Sequence, residues 1–122
     1  MSKKILLVDD EEDLVKMVVL RLKSAGYSVV SAYDGQDALD KAYKEMPDLI
    51  MLDLLLPKMS GYEVCDRIKN GSHCLKIPII MFTACTQEYD EKLGYKCGAD
   101  AYVVKPFEPV DLLAKIKELL GE

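Results

Sequence analysis

A short apolar run with one carboxylate near its centre constrains the fold more than any other stretch of the sequence. The run is LIMLDLLLP and occupies residues 49–57. Because it is short and stops at a proline, it is typical of a strand buried on both faces of a parallel sheet. Asp53 then lies near the carboxyl end of the strand, where open α/β sheets bind ligands. An aspartate that only caps a turn is the alternative, and companions elsewhere in the chain decide between the two.

The remaining sequence alternates short apolar runs with segments whose apolar residues recur at helical spacing. Further strands are predicted at residues 5–8, 27–32, 78–83 and 101–104. Five helices are predicted: one with apolar residues from 14 to 22, one with Ala38, Leu39, Ala42 and Met46 on one face, one that opens with a Ser60–Glu63 capping box, an irregular one over 87–96, and one that starts at Pro109. Five alternating strand and helix units predict an α/β fold, a doubly wound (βα)5 parallel sheet.

Composition limits the possible functions. A chain of 122 residues that is 50% hydrophobic suits one domain with a sizeable core. Its 21 acidic and 16 basic residues give a net charge of −5, and no stripe of basic and aromatic residues is present, so direct nucleic-acid binding is not expected. The N-terminal apolar run at residues 5–8 is too short for a signal peptide or a membrane span. We therefore expect a cytoplasmic protein that does not contact membranes.

The cysteines do not suggest a metal or disulfide framework. Four of them lie about ten residues apart without a C-x-x-C pair, and the single histidine, His73, lies in a polar loop; they are Cys65, Cys74, Cys85 and Cys97. This spacing is wrong for zinc. Reduced thiols that pack as small hydrophobes are the favoured interpretation.

Polar residues follow four of the five predicted strands. They are Asp9, Asp10, Asp53, Thr83 and Lys105. Right-handed crossovers place these residues at the same end of the sheet. Three carboxylates there repel one another by about 4 kcal/mol per close pair unless a cation is present, and Mg²⁺ is the ion that carboxylates, carbonyls and water suit. A carboxylate nucleophile, a metal, an ammonium and a hydroxyl together indicate phosphoryl transfer.

Four motifs in order give the chain a resemblance to a known family. VDDE at 8–11, LDxxLPxxxG at 52–61, TA at 83–84 and KPF at 105–107 resemble the receiver domain of bacterial two-component response regulators. The resemblance covers essentially the whole chain. It implies a single receiver domain over residues 1–122 with the flavodoxin-like strand order 2-1-3-4-5.

The resemblance also implies a role for each acidic residue. Asp53 matches the phosphorylated aspartate, which also contacts the metal. Asp10 matches the direct metal ligand, and Asp9 matches an acidic partner that acts through metal-bound water. Leu55 would contribute its backbone carbonyl to the metal. The implied cofactor is Mg²⁺, with Mn²⁺ as a substitute.

The remaining site residues would bind the phosphoryl group and report its presence. By the same resemblance, Thr83 and the Ala84 amide bind phosphoryl oxygens, and Lys105 forms an ion pair with them. Tyr102 matches an aromatic switch position. Taken alone, Tyr102 would be read as a core or interface tyrosine, because aromatic residues are common in strands.

The implied function is a phosphorylation switch. A histidine kinase or phosphotransfer protein would donate the phosphoryl group, and a surface of the fourth helix, fifth strand and fifth helix would bind a downstream effector or a second receiver. The domain would catalyse only its own phosphorylation and dephosphorylation, without an external substrate. Hydrolysis is expected to be slow, because Leu55 and Cys85 offer little to orient a water molecule.

Three other functions fit the sequence less well. A phosphatase similar to the haloacid dehalogenase group would carry a second aspartate where this chain has Leu55. A flavodoxin-like cofactor binder would need a phosphate loop after the first strand, but the acidic residues at 9–13 would repel a phosphate. A degenerate scaffold would lack part of the site, and no site residue is missing.

Overall fold

Five parallel strands form one sheet in the computed structural model, which describes residues 2–71, 75–83 and 98–122. The spatial order is β2-β1-β3-β4-β5, and the strands are β1 (Lys4–Val8), β2 (Ser28–Ala32), β3 (Leu49–Leu52), β4 (Ile79–Thr83) and β5 (Ala101–Val104). This order confirms the predicted doubly wound, flavodoxin-like fold. The chain changes direction across the sheet between β1 and β3, and such a switch point opens a crevice at the carboxyl ends of these two strands.

Four helices lie within the described residues. They are α1 (Glu12–Ser24), α2 (Gly35–Glu45), α3 (Gly61–Asn70) and α4 (Pro109–Leu120). The helix predicted over 87–96 lies outside the described residues, so α4 is the fifth helix predicted from the sequence. His73, Cys74, Ala84, Cys85 and Cys97 lie outside them as well. No helix in the three described ranges is long and apolar enough to cross a membrane.

The helices cover both faces of the sheet, so the core has two layers. α1 and α4 pack on one face through Val15, Val18, Leu22, Leu112 and Ile116. α2 and α3 pack on the other through Ala38, Leu39, Ala42, Val64 and Ile68. All four residues of β3 are completely buried, which confirms that this strand is covered on both faces.

Two predicted helix starts are confirmed, but one predicted helix end is not. The Ser60 side chain accepts a hydrogen bond from the Glu63 amide at 3.3 Å, and Pro109 is the first residue of α4. Met46 was predicted to lie on the inward face of α2, which is wrong. The helix ends at Glu45, and Met46 has φ 47° and is 57% exposed. The physical reason is Pro47, which disfavours helical geometry in the residue before it.

Candidate functional site

The ends of β1 and β3 bring two aspartates together at the carboxyl end of the sheet. Val8 and Leu52 are paired in the parallel ladder. One residue later, the Asp53 amide donates to the Val8 carbonyl at 2.9 Å, and the Asp9 amide donates to the Ala32 carbonyl at 3.1 Å. The first residue after each strand is therefore still fixed by backbone hydrogen bonds, so its carboxylate is held at a defined position.

Three carboxylates converge at this position. One oxygen each from Asp9, Asp10 and Asp53 lies within 4.8 Å of the others. Asp9 is fully buried and Asp53 is 5% exposed, while Asp10 faces solvent. Three carboxylate oxygens are the hard donors that Mg²⁺ prefers, so the residues present fit a divalent cation.

Lys105 supplies positive charge to the same cluster. It follows β5 and precedes Pro106 through a cis peptide bond. Its Nζ lies 2.6 Å from Asp9 Oδ2, 3.4 Å from Asp53 Oδ2 and 3.9 Å from Glu11 Oε1. Burial favours the neutral amine, but the hydrogen bond to Asp9 and the charges of Asp53, Asp9 and Glu11 outweigh it and raise the pKa of Lys105. The ammonium is thus held inside an acidic pocket.

An aromatic ring lies beneath this ammonium. Lys105 Nζ is 4.7 Å from the centroid of the Phe82 ring, which is within the range of a cation–π contact. Phe82 is fully buried in β4, and the Phe107 ring packs on it at 5.6 Å with an interplanar angle of 56°. Phe82 was missed at the sequence level because an apolar residue inside a buried strand is normally core. Its position next to Thr83, at a predicted strand end, was the available signal.

The loop after β3 approaches Asp53 through a glycine. The Gly61 amide donates to the Leu54 carbonyl at 2.8 Å, and a Cβ at Gly61 would lie 2.2 Å from the Asp53 carbonyl oxygen. Only glycine permits this contact, so the start of α3 fixes the backbone of Asp53. The Leu55 amide lies 3.3 Å from Asp53 Oδ1, and the Leu55 side chain is 63% exposed.

The other predicted site residues are described in part. Thr83 ends β4 beside Val104 of β5, so its backbone reaches the carboxyl end of the sheet. Its side chain and the whole of Ala84 lie outside the described residues. Tyr102 is half-buried in β5 and packs against the core layer of α2 and α3. The structure therefore brings together the side chains of Asp9, Asp10, Asp53 and Lys105.

Comparison with known proteins identifies this arrangement. The family model of the response regulator receiver domain matches residues 5–117. The alkaline phosphatase synthesis transcriptional regulatory protein PhoP of Bacillus subtilis is 48% identical over 120 residues, which cover 98% of this chain and 49% of that protein. The chain thus spans about half the length of the curated relatives it matches.

Solved structures are similar over the whole chain. Chemotaxis protein CheY4 of Vibrio cholerae superposes with a TM-score of 0.90 at 36% identity, covering 98% of this chain and 99% of that one. The receiver domain of sensor histidine kinase PA1611 from Pseudomonas aeruginosa, described with a magnesium ion in its active site cleft, has a TM-score of 0.91 at 29% identity and full coverage of both chains. The chain therefore belongs to the response regulator receiver domain family of two-component systems.

Proposed function

We propose that Asp53 accepts a phosphoryl group from the phosphohistidine of a histidine kinase or phosphotransfer protein. The observation that carries this proposal is the setting of the Asp53 carboxylate. It is 5% exposed, clusters with Asp9 and Asp10 within 4.8 Å, and has an ammonium 3.4 Å away. A carboxylate can act as the nucleophile that accepts a phosphoryl group, and the product then carries additional negative charge. The neighbouring lysine, together with a cation held by the neighbouring carboxylates, would offset that charge.

The transfer moves one phosphoryl group between two atoms. A carboxylate oxygen of Asp53 forms a bond to phosphorus while the bond from phosphorus to the donor's imidazole nitrogen breaks. The electron pair of that bond stays on the imidazole nitrogen, which then takes up a proton from water. Lys105, already 3.4 Å from Asp53 Oδ2, offsets the charge of the transferred oxygens. We assign Thr83 and the Ala84 amide to the same oxygens, and the role of switch to Tyr102.

The acidic cluster would hold Mg²⁺, or Mn²⁺ in its place. Asp10 and Asp53 would bind it directly together with the Leu55 backbone carbonyl, and Asp9 would act through a metal-bound water. When bound, the ion neutralises charge on the phosphoryl oxygens. The hard oxygen donors of the cluster and the magnesium described for the PA1611 receiver support this assignment.

The product would be a changed surface and not a released compound. We propose that the domain catalyses only its own phosphorylation and dephosphorylation, since Leu55 stands where an aspartyl-phosphate phosphatase would need a general acid. The partner surface would comprise the segment over 87–96, β5 and α4, and would bind an effector or a second receiver. β5 is an edge strand, and Val104 and Val110 on this side are 38% and 77% exposed.

Incubation with acetyl phosphate and Mg²⁺, followed by intact-mass measurement, tests the proposal. The chain should gain the mass of one phosphoryl group, and EDTA should prevent the gain. Asp53→Asn should abolish it because the amide is not a nucleophile. Asp66→Asn is the matched control, since Asp66 lies exposed on α3 and accepts a hydrogen bond from Asn70. A phosphoryl group gained by Asp53→Asn at the wild-type rate would refute the assignment.

A further inference from the structure

The ammonium of Lys105 contacts two kinds of partner, carboxylates and an aromatic ring, and a metal ion would affect these two kinds of contact differently. Its carboxylate partners, Asp9 and Asp53, belong to the cluster that could hold a divalent cation. Its other partners are the Glu11 carboxylate, which is 67% exposed and 3.9 Å away, and the buried Phe82 ring, 4.7 Å from Nζ to centroid. We propose that Phe82 is a positioning residue that keeps the Lys105 ammonium in the site when a cation engages the carboxylates. This inference rests on the proposed function.

A divalent cation and the Lys105 ammonium compete for the same carboxylates. Lys105 Nζ is closer to Asp9 Oδ2, at 2.6 Å, than to Asp53 Oδ2, at 3.4 Å. A divalent cation at the cluster weakens the attraction of both carboxylates for the ammonium and also repels it. A lysine side chain is flexible, so these changes favour its departure into solvent. An aromatic ring is no ligand for a hard cation, so the contact with Phe82 survives.

The Phe82 ring is held firmly in place. Phe82 lies within β4, which pairs with β3 and β5, and the side chain is fully buried. The Phe107 ring packs against it at 5.6 Å. The Lys105 side chain is only 12% exposed, so the contact is largely desolvated. A cation–π contact changes an equilibrium by about fivefold at exposed sites and by about thirtyfold at desolvated ones.

An ammonium held in this place has two opposite effects. It repels an arriving Mg²⁺ and so weakens metal binding. It is also ready to pair with phosphoryl oxygens, and so speeds phosphorylation once the metal is bound. Loss of the ring should therefore strengthen Mg²⁺ binding and slow phosphorylation. Damage to packing alone would weaken both, so the opposite signs distinguish a positioning role from a structural one.

The experiment compares wild type with Phe82→Leu in the full chain. Mg²⁺ affinity is measured by calorimetry, and the phosphorylation rate by intact mass with acetyl phosphate at saturating Mg²⁺. We expect the dissociation constant for Mg²⁺ to fall by about threefold and the rate to fall by about tenfold. Because leucine changes volume, a second variant carries 3,4,5-trifluorophenylalanine at position 82, which keeps the ring shape and weakens its π face. The same analogue at Tyr43, a 39% exposed aromatic residue on α2, is the control and should change neither quantity.

Nuclear magnetic resonance supplies a readout independent of phosphorylation. The ε-methylene protons of Lys105 should be shifted upfield by the ring current of Phe82, both without and with Mg²⁺, and Phe82→Leu should abolish the shift. A shift that vanishes when Mg²⁺ binds wild type would overturn the proposal, as would weaker Mg²⁺ binding in the position-82 variants. Should wild type gain no phosphoryl group, the proposed function fails while the Mg²⁺ and resonance measurements still decide the role of Phe82.

Discussion

Two lysine–aspartate pairs lie at opposite ends of the sheet, and they differ in how much negative charge surrounds the ammonium. At the amino end, Asp100 Oδ2 accepts from Lys69 Nζ and from the Ile79 amide, each at 2.8 Å. One carboxylate there meets one ammonium and one amide, and the pair ties α3 to the start of β4. At the carboxyl end, the ammonium of Lys105 faces three carboxylates, those of Asp9, Asp53 and Glu11.

The same two residue types therefore have different roles at the two ends of the sheet. The pair at the amino end is balanced and partly exposed, with Asp100 at 38%, so it acts as a structural link between segments. Among the described residues, the cluster at the carboxyl end has three carboxylates around the Lys105 ammonium, and one of them, Asp9, is fully buried. Uncompensated buried charge is costly, and such cost is typical of a site that waits for a ligand.

The largest effect should come from removing the ammonium at each end in turn. Lys105→Met should slow the proposed phosphorylation by about a hundredfold, because the ammonium proposed to pair with the transferred oxygens is lost. Lys69→Met should leave the phosphorylation rate near that of wild type and lower the free energy of unfolding by about 1–2 kcal/mol. Intact mass and urea denaturation measure the two quantities. An equal loss of phosphorylation in both variants would contradict the different roles assigned to the two lysine–aspartate pairs.

A smaller effect should follow from crowding the backbone of Asp53. A methyl group at Gly61 would lie 2.2 Å from the Asp53 carbonyl oxygen, so Gly61→Ala should shift the carboxylate and slow phosphorylation between about tenfold and a hundredfold. Gly26→Ala is the control: Gly26 has φ 97°, and a Cβ there would meet no atom within 4 Å, so only backbone strain results. Both variants should lose stability, and only the first should lose rate. Intact mass over time and urea denaturation check the two expectations.

The smallest effect concerns hydrolysis of the acyl phosphate. Leu55 is 63% exposed beside Asp53 and offers no hydrogen bond to an attacking water. Leu55→Asn should shorten the lifetime of the phosphorylated chain by about twofold to tenfold, the range expected of one hydrogen bond. Leu20→Asn, at a 67% exposed leucine on α1, is the control and should leave the lifetime unchanged. Lifetimes are followed by mass spectrometry after the phosphodonor is removed, and equal decay in both variants would contradict the expectation.

The sequence predicted the parts of this molecule that depend on periodicity. Apolar runs and helical spacing predicted the parallel sheet, and the positions of the strand ends predicted that Asp9, Asp10 and Asp53 lie close together. The prediction for Met46 was wrong because the helical spacing of apolar residues extends to position 46, whereas the helix itself ends at Glu45. The backbone leaves the helix at Met46, the residue before Pro47.

Contacts between distant side chains could not be predicted in the same way. Phe82 looks like core until the ammonium of Lys105 is placed over its ring. The link between Lys69 and Asp100 joins residues 31 positions apart, and no local pattern marks it. The need for glycine at position 61 likewise comes from its close approach to the Asp53 carbonyl. A sequence motif can mark this position, but it does not reveal the contact.

The exposure of Asp10 has a consequence for how a signal would be stored. Asp9 and Asp53 are buried while Asp10 faces solvent, so the cluster is open to solvent at Asp10 and a cation would first meet it there. Ion exchange would then be much faster than the breaking of a covalent bond. A stimulus would then be recorded only as the acyl phosphate. The duration of the response would depend on the lifetime of that bond and not on how long any one ion stays bound.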